Sequence, residues 1–155
     1  MSEHGFYTGE QLINLPESIS KPLVDKLIYE RDVVILSGKE KSGKSVFAQQ
    51  LAFALGSGEP FLSSFKSHQS CVVYIQLEGK RSETRQRVNA MKQGVSWHST
   101  NFNLVYEPGL SINTDQGLEL LVHKIDKGLI DNNIASPKLI VFDPLYMCVH
   151  GDLCN

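Results

Sequence analysis

The sequence predicts an α/β fold, a parallel sheet flanked by helices on both faces, and three observations predict it. Runs of apolar, often β-branched residues alternate with segments of helical period. No hairpin signal joins one run to the next, and a glycine-rich loop separates the first run from the helix that follows. Strands buried on both faces read as continuous apolar runs, and parallel neighbours need a crossover between them, usually a helix. At 155 residues the chain is expected to form a single domain, 1–155, with 1–31 as a lead-in segment.

Each element can be justified in order. In the lead-in, Leu12, Ile13 and Leu15 precede Pro16 and Pro22, and Leu23, Val24, Leu27 and Ile28 then follow at helix-like spacing, which allows a short helix. From Asp32 the text changes to Val33, Val34, Ile35 and Leu36, expected as the first core strand and ended by Ser37 and Gly38. After the glycine loop, Phe47, Leu51, Ala54 and Leu55 recur at i, i+4, i+7 and i+8, one stripe of a helix stopped by Gly56 and Gly58. A polar connection through Pro60, Ser63, Ser64 and Ser67 leads to a second strand, from Cys71 to Leu77, ending at Glu78.

A helical pattern then runs from about Ser82 to Lys92, and Phe102 to Tyr106 reads as a third strand before the turn at Pro108 and Gly109. Thr114 or Asn113 can cap a helix in which Leu118, Leu121, Val122, Ile125 and Leu129 keep the period, with its exit at Asp131 to Asn133. Pro137 introduces the fourth strand, an apolar run from Lys138 through Phe142 that ends on Asp143 and Pro144. In such a sheet, ligands bind beyond the carboxyl ends of the strands.

Composition narrows the function classes. A hydrophobic fraction of 41% and a charged fraction of 21% describe a soluble globule. With 15 basic and 17 acidic residues the net charge is -2, so no global positive field draws the chain to nucleic acid, and any DNA contact must be local. Met1 to Gln11 contain no apolar stretch and no run approaches transmembrane length, so neither a secretory signal nor a membrane association is expected and the cytoplasm is the default location. Cys71, Cys148 and Cys154 lack metal-ligand spacing, and Cys71, opening an apolar run, reads as a buried reduced thiol. His4, His68, His98, His123 and His150 share no metal-binding spacing either.

Chemistry concentrates in Gly38, Lys39, Glu40, Lys41, Ser42, Gly43, Lys44 and Ser45, with Val46 beginning the helix. The spacing Gly-x4-Gly-Lys-Ser lets a loop wrap its backbone N–H groups around phosphate oxygens, and a Cβ at the glycines is expected to obstruct the curve. The helix N-terminus adds partial positive charge. Lys44 is expected to reach the β and γ phosphates of a nucleoside triphosphate, most naturally ATP, and the Ser45 hydroxyl to ligate Mg2+.

Asp143, at the tip of an apolar strand, is the candidate second metal residue, although Asp-Pro also opens turns. Glu78, at a neighbouring strand end, is a candidate to orient or deprotonate water, although an acid there also suits the start of the next helix. Arg81 and Arg85 share one helix face, with Lys80 and Arg87 nearby, that could offer positive charge to phosphates or a neighbouring subunit but reads rather as solvated, since Glu83 breaks up the cluster.

Taken together, the loop, the segment Val73-Tyr-Ile-Gln-Leu-Glu-Gly and the segment Leu139-Ile-Val-Phe-Asp-Pro-Leu resemble the RecA-like P-loop ATPases. Within them the chain is most similar to the RepA-type replicative helicases, with Lys41 as the basic residue ahead of the second loop glycine. The resemblance covers roughly residues 20 to 152. It implies a Mg2+-dependent ATPase that works as a hexameric homo-oligomer and moves on single-stranded DNA in replication or recombination, with Glu78 and Lys44 catalytic. It also implies further strands beyond Asn155, carrying the γ-phosphate sensor, a basic residue offered across the subunit interface and most DNA-contacting loops, so the domain is expected to be C-terminally partial. The rival readings are a nucleotide-binding chain that does not hydrolyse and a small-molecule kinase, which would need an acceptor pocket and an arginine-rich lid.

Overall fold

The computed structural model describes residues 6–15, 20–93 and 101–148. Pro16, His4, His98, His150 and Cys154 lie outside them. Helix α1 (Gly9–Ile13) is a single exposed turn closed by a capping box between Thr8 and Gln11. The lead-in helix extends no further. Strands β1 (Pro22–Val24) and β2 (Ile28–Tyr29) pair antiparallel, with Lys26 at φ 65° turning the chain between them.

The spacing of Leu23, Val24, Leu27 and Ile28 suits a helix, but a backbone partner overrides it. Asp25 N donates to Lys66 O at 2.9 Å and His68 N to Leu23 O at 2.9 Å, so the hairpin is laced to the segment ahead of the main sheet. Leu23, Val24 and Ile28 are buried by that pairing.

The main sheet contains β3 (Val72–Gln76), β4 (Phe102–Tyr106) and β5 (Leu139–Asp143), all parallel, in the order β4-β3-β5. The central β3 is buried along its whole length, as its continuous apolar text requires. Helix α2 (Lys44–Ser57) and helix α3 (Arg81–Met91) cover one face. There Val72 and Tyr74 pack with Ala52 and Leu55, and Thr84 reaches Gln76. Helix α4 (Asp115–Asp131) covers the other, where Val73, Ile75 and Leu77 meet Leu110, Leu121 and Ile125. Thr114 is its N-cap, accepting from Gly117 N at 3.1 Å.

Two expectations need correction. Residues 33–36 form no strand, and Val33 and Ile35 are 92% and 77% exposed. Apolar β-branched text marks a segment suited to burial, but a strand exists only with a neighbour to bond, and among the described strands β5 pairs with β3 alone. The sheet of the described residues therefore has three parallel strands, where the sequence suggests four. The stripe on α2 is also rotated. Ala54 and Leu55 are buried together with Gln49, Ala52 and Phe53, while Phe47 is exposed at its edge and meets Phe61 edge to face. Gly56 lies within the helix, and Gly58, at φ 79°, ends it.

Candidate functional site

The loop of residues 38–43 turns the chain from the exposed run into α2. Ser42 N donates to Lys39 O at 3.3 Å, and Phe47 N donates to Gly43 O at 3.0 Å as the helix begins. Lys41 and Gly43 hold φ of 59° and 89°, and left-handed residues in so short a loop are what turn successive N–H groups toward a common point. A Cβ on Gly43 would meet nothing within 4 Å, so its requirement is conformational and not the obstruction expected from the sequence. At Gly38 a Cβ would come 3.1 Å from the Ser42 side-chain Oγ, a tight contact that the hydroxyl would have to yield to.

Gly43 is the N-cap of α2 and has no side chain to satisfy the first-turn N–H groups, which leaves them and the helix dipole aimed into the loop. Lys44 Nζ donates to Gly38 O at 2.9 Å and to Lys39 O at 2.8 Å, so its charge sits in the mouth of the turn. An ammonium has a third donor to offer an anion. Lys39, Glu40, Lys41 and Val46 are exposed around it.

Asp143 meets this loop from across the sheet. Ser45 Oγ donates to Asp143 Oδ1 at 3.0 Å, joining residues 98 positions apart. The other carboxylate oxygen, Oδ2, accepts from the Tyr74 hydroxyl. Burial, then the hydrogen bond to Asp143 and its charge, push the Tyr74 phenol far above its ordinary value, against the opposing effects of Gln49 and Arg87. Pro144 leads directly into the 3-10 turn Leu145–Cys148, so Asp143 opens a turn as well as facing the loop.

Glu78 stands one residue past the last β3 amide that bonds β5, Leu77 N to Asp143 O at 2.9 Å. Its turn is held from several sides: Gln76 Nε2 donates to Glu78 O at 2.9 Å, Thr84 Oγ1 to Gln76 Oε1 at 2.7 Å, and the Tyr106 hydroxyl to Gly79 O at 3.2 Å. The exposed Glu78 carboxylate accepts a hydrogen bond at 2.8 Å from the Tyr146 hydroxyl. That bond, some burial, and the charges of Glu78, Glu40 and Asp143 raise the Tyr146 phenol above its usual value. Tyr146 thus meets Glu78 at the carboxyl end of the sheet.

A family model described as AAA domain matches residues 9–154. The chain belongs to this family. No curated protein and no solved structure matches it significantly. The family is one of nucleotide-binding ATPases of the P-loop type.

In this AAA domain the donor set beside the loop fits Mg2+. A hydroxyl and a carboxylate in contact at 3.0 Å are hard oxygen ligands, and Mg2+ takes one or two such protein ligands while keeping water and phosphate oxygens. Among the described residues no group of three or more His, Cys, Asp or Glu side chains forms a closed cage, as a softer structural metal would need.

Elsewhere in the AAA domain, Cys71 is buried, its thiol pushed up by burial, in keeping with a structural role. Arg81 and Arg85 are exposed, and His68 pairs with Asp25 at 2.7 Å. No helix of the described residues is long and apolar enough to cross a membrane.

The sequence reading missed Tyr74, Gln49 and Tyr146. A signal existed for the first: a tyrosine within a strand buried on both faces needs a partner for its hydroxyl. Gln49 lies one helical turn beyond Ser45, on the same side of α2.

Proposed function

We propose that the chain binds ATP with Mg2+ through residues 38–46, as the nucleotide-binding core of a RepA-like helicase or recombinase motor that assembles into a ring on single-stranded DNA. The observation that carries the reading is the Ser45–Asp143 hydrogen bond, since it brings the loop and the tip of β5, far apart in sequence, to one point. The free N–H groups of α2 and the backbone of Gly38 to Gly43 take the phosphate oxygens. Lys44 moves from the Gly38 and Lys39 carbonyls to the β and γ phosphates, and its charge opposes the negative charge that gathers there as the γ phosphoryl leaves. Ser45 and Asp143 would hold the ion, which would supply positive charge to offset the negative charge of the phosphates.

Glu78 orients the attacking water and accepts its proton. Its support is its place at the end of β3, next to β5 and within reach of Tyr146. The same bond favours a second reading, a domain that binds ATP without turnover, because it commits one of the two Glu78 carboxylate oxygens.

Titration calorimetry with Lys44→Ala tests the binding proposal: affinity for ATP falls about tenfold or more on loss of a charge-assisted contact, and unchanged binding rejects the loop assignment. Hydrolysis measured with and without single-stranded DNA tests the motor: stimulation supports it, and binding with no turnover under either condition selects the second reading.

A further inference from the structure

A carboxylate binds a metal more tightly when it is held in one orientation, and the terminal torsion of aspartate is soft and roughly two-fold. In this chain the orientation of Asp143 is fixed from both sides. Oδ1 takes the Ser45 hydroxyl at 3.0 Å, and Oδ2 takes the hydroxyl of Tyr74. Tyr74 is on the central strand, paired in register with Val141, which puts it on the face of the sheet that also carries Asp143 two residues later.

The Tyr74 ring is 0% exposed and stacks on Phe102 with centroids 6.1 Å apart, so its hydroxyl has little freedom to aim elsewhere. Gln49 of α2 is also buried, at 1% exposed, and its Oε1 has no hydrogen-bond partner. Tyr74, Asp143 and Ser45 thus form a polar run from β3 through β5 to α2, and Tyr74 lies in a core cluster that includes Val24, Ala52, Leu55 and Val72. Polar groups placed so deep are retained only where they are bonded or where they serve the site they touch.

We propose that Tyr74 is the positioning residue for Asp143: its buried hydroxyl pins Oδ2 and thereby presents Oδ1 to the metal shared with Ser45. The inference rests on the reading of Ser45 and Asp143 as Mg2+ ligands. Donation to Oδ2 leaves Oδ1 the more available oxygen, and the rigid ring sets its direction. Partners that hold a ligand in this way are commonly worth ten- to a hundredfold in metal affinity.

The test is Tyr74→Phe in the full chain, which keeps the ring and removes only the hydroxyl. Binding of a ribose-labelled fluorescent ATP analogue is titrated in EDTA and over a range of Mg2+, beside Asp143→Asn and the double variant. Tyr74→Phe should leave the affinity in EDTA unchanged and raise the Mg2+ concentration that gives half the metal-dependent gain by about tenfold or more. In the Asp143→Asn background the same change should add nothing, whereas a general packing defect would add its full effect to that variant too.

An unaltered Mg2+ midpoint in Tyr74→Phe, with the gain abolished in Asp143→Asn, overturns the positioning role and leaves the metal reading standing. Equal losses in EDTA and in Mg2+ also overturn it. If Asp143→Asn keeps the whole Mg2+-dependent gain, the metal reading itself fails and the positioning role goes with it.

Discussion

At the scale of single residues, the site sorts into groups that touch one another and one that stands apart. Lys44, Ser45, Asp143 and Tyr74 are joined through the loop and across the sheet by hydrogen bonds, whereas among the described residues the Glu78 side chain is tied to Tyr146 alone. Glu78→Gln keeps the shape and the acceptor for Tyr146 but cannot take a proton. It should bind ATP within about twofold of the parent and lose hydrolysis by about a hundredfold or more, within the usual contribution of general-base catalysis. Full activity in a phosphate-release assay would remove Glu78 from the mechanism. Ser45 is expected beside Asp143 from the sequence, but Tyr74 could not be read from spacing, because its bond spans 69 positions and depends on the register of β3 against β5. Residue identity announced that chemistry was present in the loop, while only register shows what steadies Asp143.

At the scale of elements, local text was legible wherever an element brings its own hydrogen bonds or has a sheet neighbour at hand. Strands β3, β4 and β5 lie where apolar runs place them, and α4 begins at the Thr114 cap. The run at residues 33–36 and the hairpin β1–β2 fail in opposite directions, the first for want of a partner and the second because a partner captured a helix-like text. Within α4, two glycines look alike in sequence and differ in space. A Cβ on Gly117 would fall 1.6 Å from the Ser111 carbonyl oxygen, a clash with backbone, while one on Gly128 would meet nothing within 4 Å. Gly117→Ala should therefore destabilise the fold by about 1–3 kcal/mol through overpacking. Gly128→Ala should stabilise it by roughly 0.5–1 kcal/mol through the lost flexibility of the unfolded chain. Denaturant midpoints of the two variants would separate the effects, and shifts of the same sign would contradict the geometry.

At the scale of the whole molecule, the site is built on the sheet where its two covered faces meet one of its edges. Helices α2 and α3 shield one face and α4 the other, while β5, which carries Asp143, has a neighbour on one side only among the described strands. Exposed apolar residues at 33–36 sit just ahead of the loop, a surface of the kind that promotes association between chains. The loop is thus anchored to the core on its α2 side and unsupported on the side from which the chain enters it. The amide of Leu77, 1% exposed and bonded to the Asp143 carbonyl, turns that asymmetry into something a clock can read. In deuterated water it should exchange only when the entire core opens, hours behind the amides of residues 33–36, which should label within the dead time. If Leu77 labels early, the end of β5 breathes independently of the core, and the carboxylate it carries is delivered by motion instead of being built in place.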